Sequence, residues 1–186
     1  RACDAVISNK GKVITLGIGK SSFIAMKMAA TLSSTGTAAL FLHPVDALHG
    51  DIGVIRKNDV VIIYSNSGET QEVIELLPIL KLLKCYIIAI TGNLSSSLAQ
   101  YSNISLDASV TREACPHNLA PTSSIICALA LSDALALAIS LQNNFSIKDF
   151  AKTHPGGAIG KRLMVKVSNI MIKRNIPIVN LSLIHI

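Results

Sequence analysis

The sequence predicts an α/β protein built on a three-layer, doubly wound, five-stranded parallel sheet. Half of the 186 residues are hydrophobic and only 4% are aromatic, an aliphatic composition that suits strands covered on both faces. Short runs of β-branched residues alternate with longer amphipathic segments along the chain, which is typical of parallel strands joined by right-handed helical crossovers. The length fits one domain with a sizeable core and a fragment of a second.

The predicted elements follow one another in strand–helix order. The strands are short apolar runs at residues 13–16, 38–42, 60–64, 86–91 and 104–106. The helices run from the turn after the first strand to about residue 34, over residues 69–83, around 96–101 and from about 122, with a short helix in the 43–51 loop. Gly36 is placed as the stop signal of the first helix. In such a sheet the loops that follow the strands meet at one edge, where ligands bind.

Charge, cysteine content and hydropathy limit which partners and which cellular location the sequence predicts. The net charge is +6, but the basic surplus has no interleaved aromatic residues and no reader motif, so nucleic acid binding is not expected. The four cysteines are scattered without a C-x-x-C pair, which predicts buried, reduced thiols and a cytoplasmic protein. No signal peptide precedes the first strand. Asp133 in the centre of the apolar segment 124–141 favours a buried core helix over a membrane span.

The most informative motif is SNSGET at residues 65–70, between a buried strand and a helix. Its small residues bring hydroxyls and backbone N–H groups together at a helix N-terminus, where unpaired N–H groups and a partial positive charge favour an oxyanion. An ordinary helix cap with a serine-rich turn is the alternative interpretation. We call residues 65–70 the anion turn.

A second turn of this kind, GIGKSS at residues 17–22, follows the first strand. It lacks the glycines of a dinucleotide fingerprint and of a P-loop. Lys20 stands at the beginning of a helix, where a cation opposes the helix dipole and is normally avoided. This position favours a functional amine over a solvated surface lysine.

Three further loops carry polar residues that suit proton transfer. His49, Gly50 and Asp51 form either a structural turn or part of a site. Glu113 lies in a loop with two prolines that ends in a helix-capping cluster of hydroxyl residues. His154 precedes a rigid proline and a glycine pair, which exposes its imidazole.

This combination does not resemble a hydrolase site, because no Ser-His-Asp spacing, zinc signature or nucleotide motif accompanies the anion turn. Carboxylates, a lysine and a histidine around a phosphate suit proton shuttling on a phosphorylated sugar, in which a base moves a proton between adjacent carbons and a cation stabilises the enediolate.

The anion turn resembles the phosphate loop of the sugar isomerase (SIS) domain, which has a flavodoxin-like fold. Together with GIGKS (17–21), HP and HGD (43–44 and 49–51), EACP and LAPTSS (113–124) and HPGG (154–157), it is similar to the bacterial D-arabinose 5-phosphate isomerases. The resemblance runs from about Lys10 to Met171. It implies an SIS domain over residues 1–165 and the start of a truncated CBS domain over 166–186.

The family interconverts D-ribulose 5-phosphate and D-arabinose 5-phosphate for synthesis of the octulosonate sugar of lipopolysaccharide or capsule. The resemblance implies no cofactor, no metal and a homotetramer with sites between subunits, which allows His154 to serve a neighbouring subunit's pocket. It places Lys20, Glu69, Glu113 and His154 in the catalytic set. It gives the phosphate to Ser65, Ser67 and Thr70, with Ser21 beside them, and substrate contacts to His49, Gly50 and Thr122.

The resemblance and the chemistry together suggest a role for each catalytic group. Glu113 is expected to transfer the carbon-bound proton, with Glu69 as the fallback, while His154 opens the sugar ring and Lys20 stabilises the oxyanion. Two departures from the family are Ser22, where glycine is usual and where the Lys20 turn is expected to tighten, and the isoleucines after the capping cluster. The alternatives are a regulatory module that binds sugar phosphates and an isomerase of another sugar phosphate.

Overall fold

A computed structural model describes residues 1–174 of the chain. Its five-stranded sheet has the order β2-β1-β3-β4-β5 with every neighbouring pair parallel, which confirms the predicted doubly wound α/β fold. The strands are β1 (Val13–Gly17), β2 (Ala39–Leu42), β3 (Val60–Tyr64), β4 (Tyr86–Thr91) and β5 (Ile104–Asp107). The helices are α1 (Ala2–Ser8), α2 (Lys20–Ser34), α3 (Pro44–Leu48), α4 (Gln71–Leu82), α5 (Ser97–Tyr101), α6 (Ser123–Gln142), α7 (Ile147–Thr153), α8 (Ala158–Met164) and α9 (Val167–Ile170), and Asp51–Val54 forms a 3₁₀ turn.

The sheet is covered on both faces, which gives the three predicted layers. Side chains alternate along a strand, so Ile62 of β3 packs into a core with α1, α2 and α6, while Ile63 packs into a core with α3, α4 and α5. Every residue of β1 and β3 is buried. This two-sided burial explains why both strands read as continuous apolar runs rather than as alternating ones.

A buried ion pair joins the amino ends of β1 and β3, the two strands between which the strand order of the sheet reverses. Asp59 accepts hydrogen bonds from the backbone N–H and the ammonium group of Lys12, at 2.9 and 2.7 Å, and from the N–H of Arg56 at 2.7 Å. The carboxylate is 3% exposed and fully hydrogen-bonded, as a buried charge must be. These bonds set the register at one end of the strand pair, and the loops at the other end form the candidate site.

Helix α6 differs from its sequence-based description. It was expected as a buried core helix, but only one of its faces is buried, while Ile126, Leu137 and Leu141 are 63%, 56% and 78% exposed. By length and composition α6 is apolar enough to cross a membrane, which for a single helix is weak evidence. Its buried face packs in the core with α1 and α2. The prediction was therefore correct for one side of the helix and wrong for the other.

Two smaller expectations also change. Helix α4 begins at Gln71 rather than at Glu69, because Thr70 has an extended backbone and is the N-cap residue. All four cysteines are unpaired, but only Cys85 is buried, whereas the other three are partly exposed. The predicted start of a second domain at 166–186 stays a prediction, and residues 175–186 of that segment lie outside the described residues.

Candidate active site

The candidate site is a cavity at the carboxyl ends of β1 and β3, where the strand order reverses. Its polar wall residues lie at or near the carboxyl ends of strands and the beginnings of helices: Ser21, Tyr64, Ser65, Asn66, Thr91 and Ser124. The structure thus brings the two serine-bearing turns together, as the sequence predicted for a parallel sheet. Ligands of open α/β sheets bind at this switch point.

The anion turn is held in shape by its own hydroxyls. Ser65 is buried, its hydroxyl lies 2.8 Å from that of Thr70, and it accepts the N–H of Gly68 at 3.1 Å. Gly68 has a φ of 69°, a left-handed conformation that favours glycine. The exposed Ser67 accepts the N–H of Glu69 at 3.2 Å. The serines and Thr70 therefore surround the same few backbone atoms, as an anion cradle requires.

Backbone donors remain open at this turn. Among the residues that the structure describes, none accepts a hydrogen bond from the N–H groups of Asn66 and Ser67. Helix α4 begins directly after the turn at Gln71, and the first N–H groups of a helix have no partner within it. Free N–H groups at a helix start attract oxyanions, so the geometry suits a phosphate.

Lys20 is the first residue of α2 and follows Gly19, whose φ is 59°. The turn is tight, because the hydroxyl of Ser22 donates to the carbonyl of Gly19 at 2.6 Å. This bond is compatible with the expected effect of Ser22 on the turn, which stays a prediction. Lys20 is exposed, and within residues 1–174 no carboxylate lies within ion-pair distance of its amine. The amine is available to an anionic ligand beside Ser21.

Glu113 has a structural role that the sequence did not indicate. One carboxylate oxygen accepts the N–H and the hydroxyl of Thr122, at 2.7 and 3.0 Å, and the N–H of Ser124 at 3.2 Å. The other oxygen accepts the hydroxyl of Ser124. Glu113 thus caps the beginning of α6 from nine residues away, and Ser124, which binds this carboxylate, lines the cavity.

The same hydrogen bonds set the protonation of Glu113. Donation from the Ser124 hydroxyl and from the Thr122 N–H lowers its pKa from 4.5 to about 2. The carboxylate is therefore ionised at neutral pH, as a proton acceptor must be. Its low pKa also makes it a weaker base than a free glutamate.

Glu69, the fallback base, has fewer partners. One of its oxygens accepts the N–H of Ser97, the first residue of α5, at 2.7 Å. This bond holds the pKa of Glu69 below its usual value. The side chain is exposed and lies between the beginnings of α4 and α5, so an acceptor position stays open to a ligand.

His154 is not brought to this cavity within one chain, and the expectation that it serves a neighbouring subunit's site stays a prediction. It ends α7, stacks on Phe150 with ring centroids 3.7 Å apart, and places Nδ1 3.0 Å from the Phe150 carbonyl. Its neighbour Thr153 donates to the carbonyl of Ser34, the last residue of α2. Because α2 begins at Lys20 and rises 1.5 Å per residue, its two ends lie about 21 Å apart.

The possible substrate contacts occupy different places. Thr122 is bound to Glu113 and accepts the N–H of Ala114 at 2.8 Å, so its hydroxyl belongs to the capping of α6. His49 follows α3, beyond the carboxyl end of β2, and is exposed. Gly50 beside it has a φ of 125°, which favours glycine. The chain turns at this loop, and a substrate contact there stays a prediction.

Several cavity residues were missed from the sequence. Asn66, Thr91 and Ser124 line the cavity but were not predicted as site residues. Thr91 is the last residue of β4 and so carries the same signal, a polar side chain at the carboxyl end of a strand, that identified Ser65. Within residues 1–174, no group of three or more His, Cys, Asp or Glu side chains is arranged to hold a metal ion.

Lowering the pH from 4.5 towards 2 should weaken the capping of α6 by Glu113. The folded-state pKa of Glu113 is depressed, so its contribution to the free energy of unfolding is fully present above pH 4.5 and is lost as the pH falls towards 2. Thermal unfolding of the wild type and of Glu113→Gln, followed by circular dichroism from pH 6 to pH 2, should show a difference that narrows across this range. A difference that stays constant would contradict the capping role.

Comparison with known proteins identifies the family. The family model of the SIS domain matches residues 6–138. The chain belongs to the SIS domain family. It is 51% identical over 171 residues to the arabinose 5-phosphate isomerase KdsD of Pseudomonas aeruginosa, covering 92% of this chain and 52% of the relative. It is 55% identical over 183 residues to KdsD of Francisella tularensis, covering 96% of this chain and 56% of the relative.

The chain therefore spans about half the length of these curated relatives. A solved SIS-like structure, an Escherichia coli CFT073 protein in complex with A5P, superposes with a TM-score of 0.80 and 44% sequence identity, covering 82% of this chain and 81% of that chain. The similarity of fold and sequence thus extends over most of the SIS domain described above.

Proposed function

We propose that this SIS domain is the catalytic domain of an aldose–ketose isomerase that interconverts D-ribulose 5-phosphate and D-arabinose 5-phosphate. The observation that carries the proposal is one cavity at the switch point that joins the anion turn to the turn of Lys20, with Glu113 hydrogen-bonded to Ser124 of its wall. The identity to KdsD proteins and to a structure that contains A5P supports this choice of substrate.

The reaction requires proton transfers and no electron carrier. From the open-chain aldose, a carboxylate removes the C2 proton while the carbonyl oxygen O1 gains a proton, which gives a cis-enediol. The C2 hydroxyl then gives up its proton as the C2 carbonyl forms, and C1 receives a proton, so atoms and charge balance. We assign the carbon-bound proton to Glu113, with Glu69 as the alternative, and stabilisation of the developing oxyanion to Lys20.

The proposal includes a site shared between copies of the chain. His154 is required for ring opening in this mechanism, yet it lies near the far end of α2 from Lys20. A second copy can supply it if the chains associate through their exposed apolar surface. That surface includes Phe23 of α2, which is 67% exposed, and the uncovered face of α6, and exposed apolar side chains of this kind suit a contact between copies of the chain. We propose a homotetramer.

The wider setting belongs to the same proposal. We place the protein in the cytoplasm, without a membrane or nucleic acid partner, where its product supplies octulosonate synthesis for lipopolysaccharide or capsule. A CBS domain beginning near residue 166 would follow the SIS domain. The length of the KdsD relatives, about twice that of this chain, supports a further domain.

Incubation of the chain with D-ribulose 5-phosphate in deuterated water tests the activity. We expect D-arabinose 5-phosphate that carries deuterium at C2, detected by nuclear magnetic resonance. Tight binding of the sugar phosphate without any exchange would instead favour a regulatory sensor. Faster exchange with a different sugar phosphate would keep the isomerase class and change the substrate.

Ser67→Ala should mainly weaken substrate binding. The hydroxyl of Ser67 lies in the anion turn, and loss of a hydrogen bond to a charged group costs about 1 to 3 kcal/mol. We expect a higher KM with little change in kcat, measured with arabinose 5-phosphate. Ser102→Ala, which removes a hydroxyl bound to the Leu98 carbonyl away from the turn, is the control. An unchanged KM, or equal turnover of unphosphorylated arabinose, would reject this assignment.

A further inference from the structure

The loop after β4 contacts the back of the anion turn. We call residues 91–97 the supporting loop. The N–H of Gly92 donates to the carbonyl of Asn66 at 3.0 Å, and the hydroxyl of Thr91 donates to the same oxygen at 3.3 Å. The N–H of Leu98, just beyond the loop, donates to the carbonyl of Gly68 at 3.1 Å. Two carbonyls of the anion turn therefore accept hydrogen bonds from the segment that follows β3's neighbour, β4.

The supporting loop is itself rigidly bonded. The hydroxyl of Thr91 also accepts the N–H of Asn93 at 3.2 Å. The hydroxyl of Ser96 donates to the carbonyl of Asn93 at 2.6 Å and accepts the N–H of Ala99 at 3.3 Å. Thr91 and Ser96 are each 1% exposed. Thr91 thus links the loop to the turn through a single buried hydroxyl that acts as both donor and acceptor.

Close packing leaves the turn no room to shift. A Cβ atom placed on Gly68 would lie 2.0 Å from the hydroxyl oxygen of Ser96 and 3.1 Å from that of Thr91. Both distances are shorter than ordinary van der Waals contact. The loop therefore defines where the backbone of the turn lies, and it also fixes Glu69 through the N–H of Ser97.

Hydrogen bonds to a backbone carbonyl also fix the direction of the N–H group on the opposite side of the same peptide. The peptide unit is planar, so fixing the Asn66 carbonyl also fixes the direction of the Ser67 N–H. That N–H has no acceptor among the described residues. Two hydrogen bonds to the carbonyl also polarise the peptide and strengthen the N–H as a donor.

We propose that Thr91 is a positioning residue for the anion turn: its hydroxyl orients the Asn66–Ser67 peptide so that the Ser67 N–H binds the substrate phosphate. Thr91 acts through the backbone of Asn66 and does not transfer a proton. The proposal rests on the isomerase function for its kinetic readout, but phosphate binding can be measured without turnover.

Thr91→Val, which keeps the shape and removes the hydroxyl, tests this role. We expect KM for arabinose 5-phosphate and Kd for inorganic phosphate to rise about fivefold to tenfold, with kcat changed by less than about twofold. Thr91→Ser restores the hydroxyl and should return both constants to within about twofold of the wild type. The amide resonance of Ser67 should respond to phosphate in the wild type and in Thr91→Ser, and more weakly in Thr91→Val.

Thr15→Val is the matched control, because Thr15 is also fully buried in a strand and its hydroxyl also donates to a backbone carbonyl, that of Ala25. It should lower thermal stability without changing KM or the phosphate Kd. An unchanged KM and Kd in Thr91→Val, or an equal rise in Thr15→Val, would overturn the proposal. If Thr91→Val does not fold, Ser96→Ala loosens the same loop and should raise both constants about threefold; no rise would overturn the proposal.

The two proposals fail in different ways. A wild-type chain that binds phosphate but does not isomerise any sugar phosphate would reject the isomerase function, and the comparison of phosphate Kd values would still decide the role of Thr91. A wild-type chain that isomerises, with Thr91→Val equal to it in KM and Kd, would reject the role of Thr91 alone.

Discussion

A mixture of His154→Ala and Lys20→Ala chains, each nearly inactive alone on cyclic arabinose 5-phosphate, is expected to recover about one quarter of the wild-type isomerase activity on that substrate. Each site in the proposed assembly takes Lys20 from one copy and His154 from another. In a random equal mixture, half of the sites receive an intact Lys20 and half of those receive an intact His154. The distance between the two residues along α2 is the structural reason for this expectation.

The measurement is activity after the two chains are denatured, mixed and refolded together, with each variant refolded alone as the control. Recovery should depend on the mixing ratio and peak at equal amounts. His154→Ala alone should also slow the cyclic substrate more than an analogue that is already in open-chain form. If the mixture stays as inactive as its components, His154 does not complete a neighbouring site.

The second large effect is expected for Glu113→Gln, which should reduce exchange of the C2 proton by about 10²- to 10⁴-fold, the usual contribution of a positioned base. The same substitution should lower the thermal stability, because an amide cannot accept all four hydrogen bonds that the carboxylate takes from Thr122 and Ser124. Exchange is measured by deuterium incorporation under substrate saturation, and unfolding by circular dichroism.

Glu69→Gln is the matched comparison, since Glu69 makes a single hydrogen bond at the surface. This substitution should change the thermal stability little, so a change in the exchange rate can be attributed to catalysis and not to loss of folded protein. Near-normal exchange in Glu113→Gln together with loss of exchange in Glu69→Gln would swap the two roles. Glu113 would then remain as the cap of α6, a role that the structure supports independently of catalysis.

Much of the fold could be predicted because its signals are local. The continuous apolar run of β3 and the serine-rich turn after it are both visible in a short window of sequence, and the parallel topology places successive turns at one edge. The burial of α6 could not be predicted in this way. Apolar residues occur on all of its sides, so the sequence does not distinguish the face that packs in the core with α1 and α2 from the face that is exposed.

The candidate site shows the same division. Ser65 and Ser21 line one cavity, as expected for the turns after two neighbouring parallel strands, and their binding to phosphate stays a prediction. The support from Thr91 depends on β4 lying beside β3 and on the loop that follows β4, neither of which a motif displays. The contact between the end of α7 and the far end of α2 could not be predicted, because spacing along the chain gives no information on which end of α2 a later helix contacts.

The exposed face of α6 has a consequence for how this protein should be handled. If association covers that face, the free energy of unfolding contains a mass-action component, and the melting temperature rises with protein concentration. Dilution would then lower both stability and activity, even though no residue has changed. Leu137 and Leu141 contribute little to the core of the single chain. In the assembly they would determine how well the protein withstands dilution during storage and assay. They would also determine how well it tolerates substitutions at its surface.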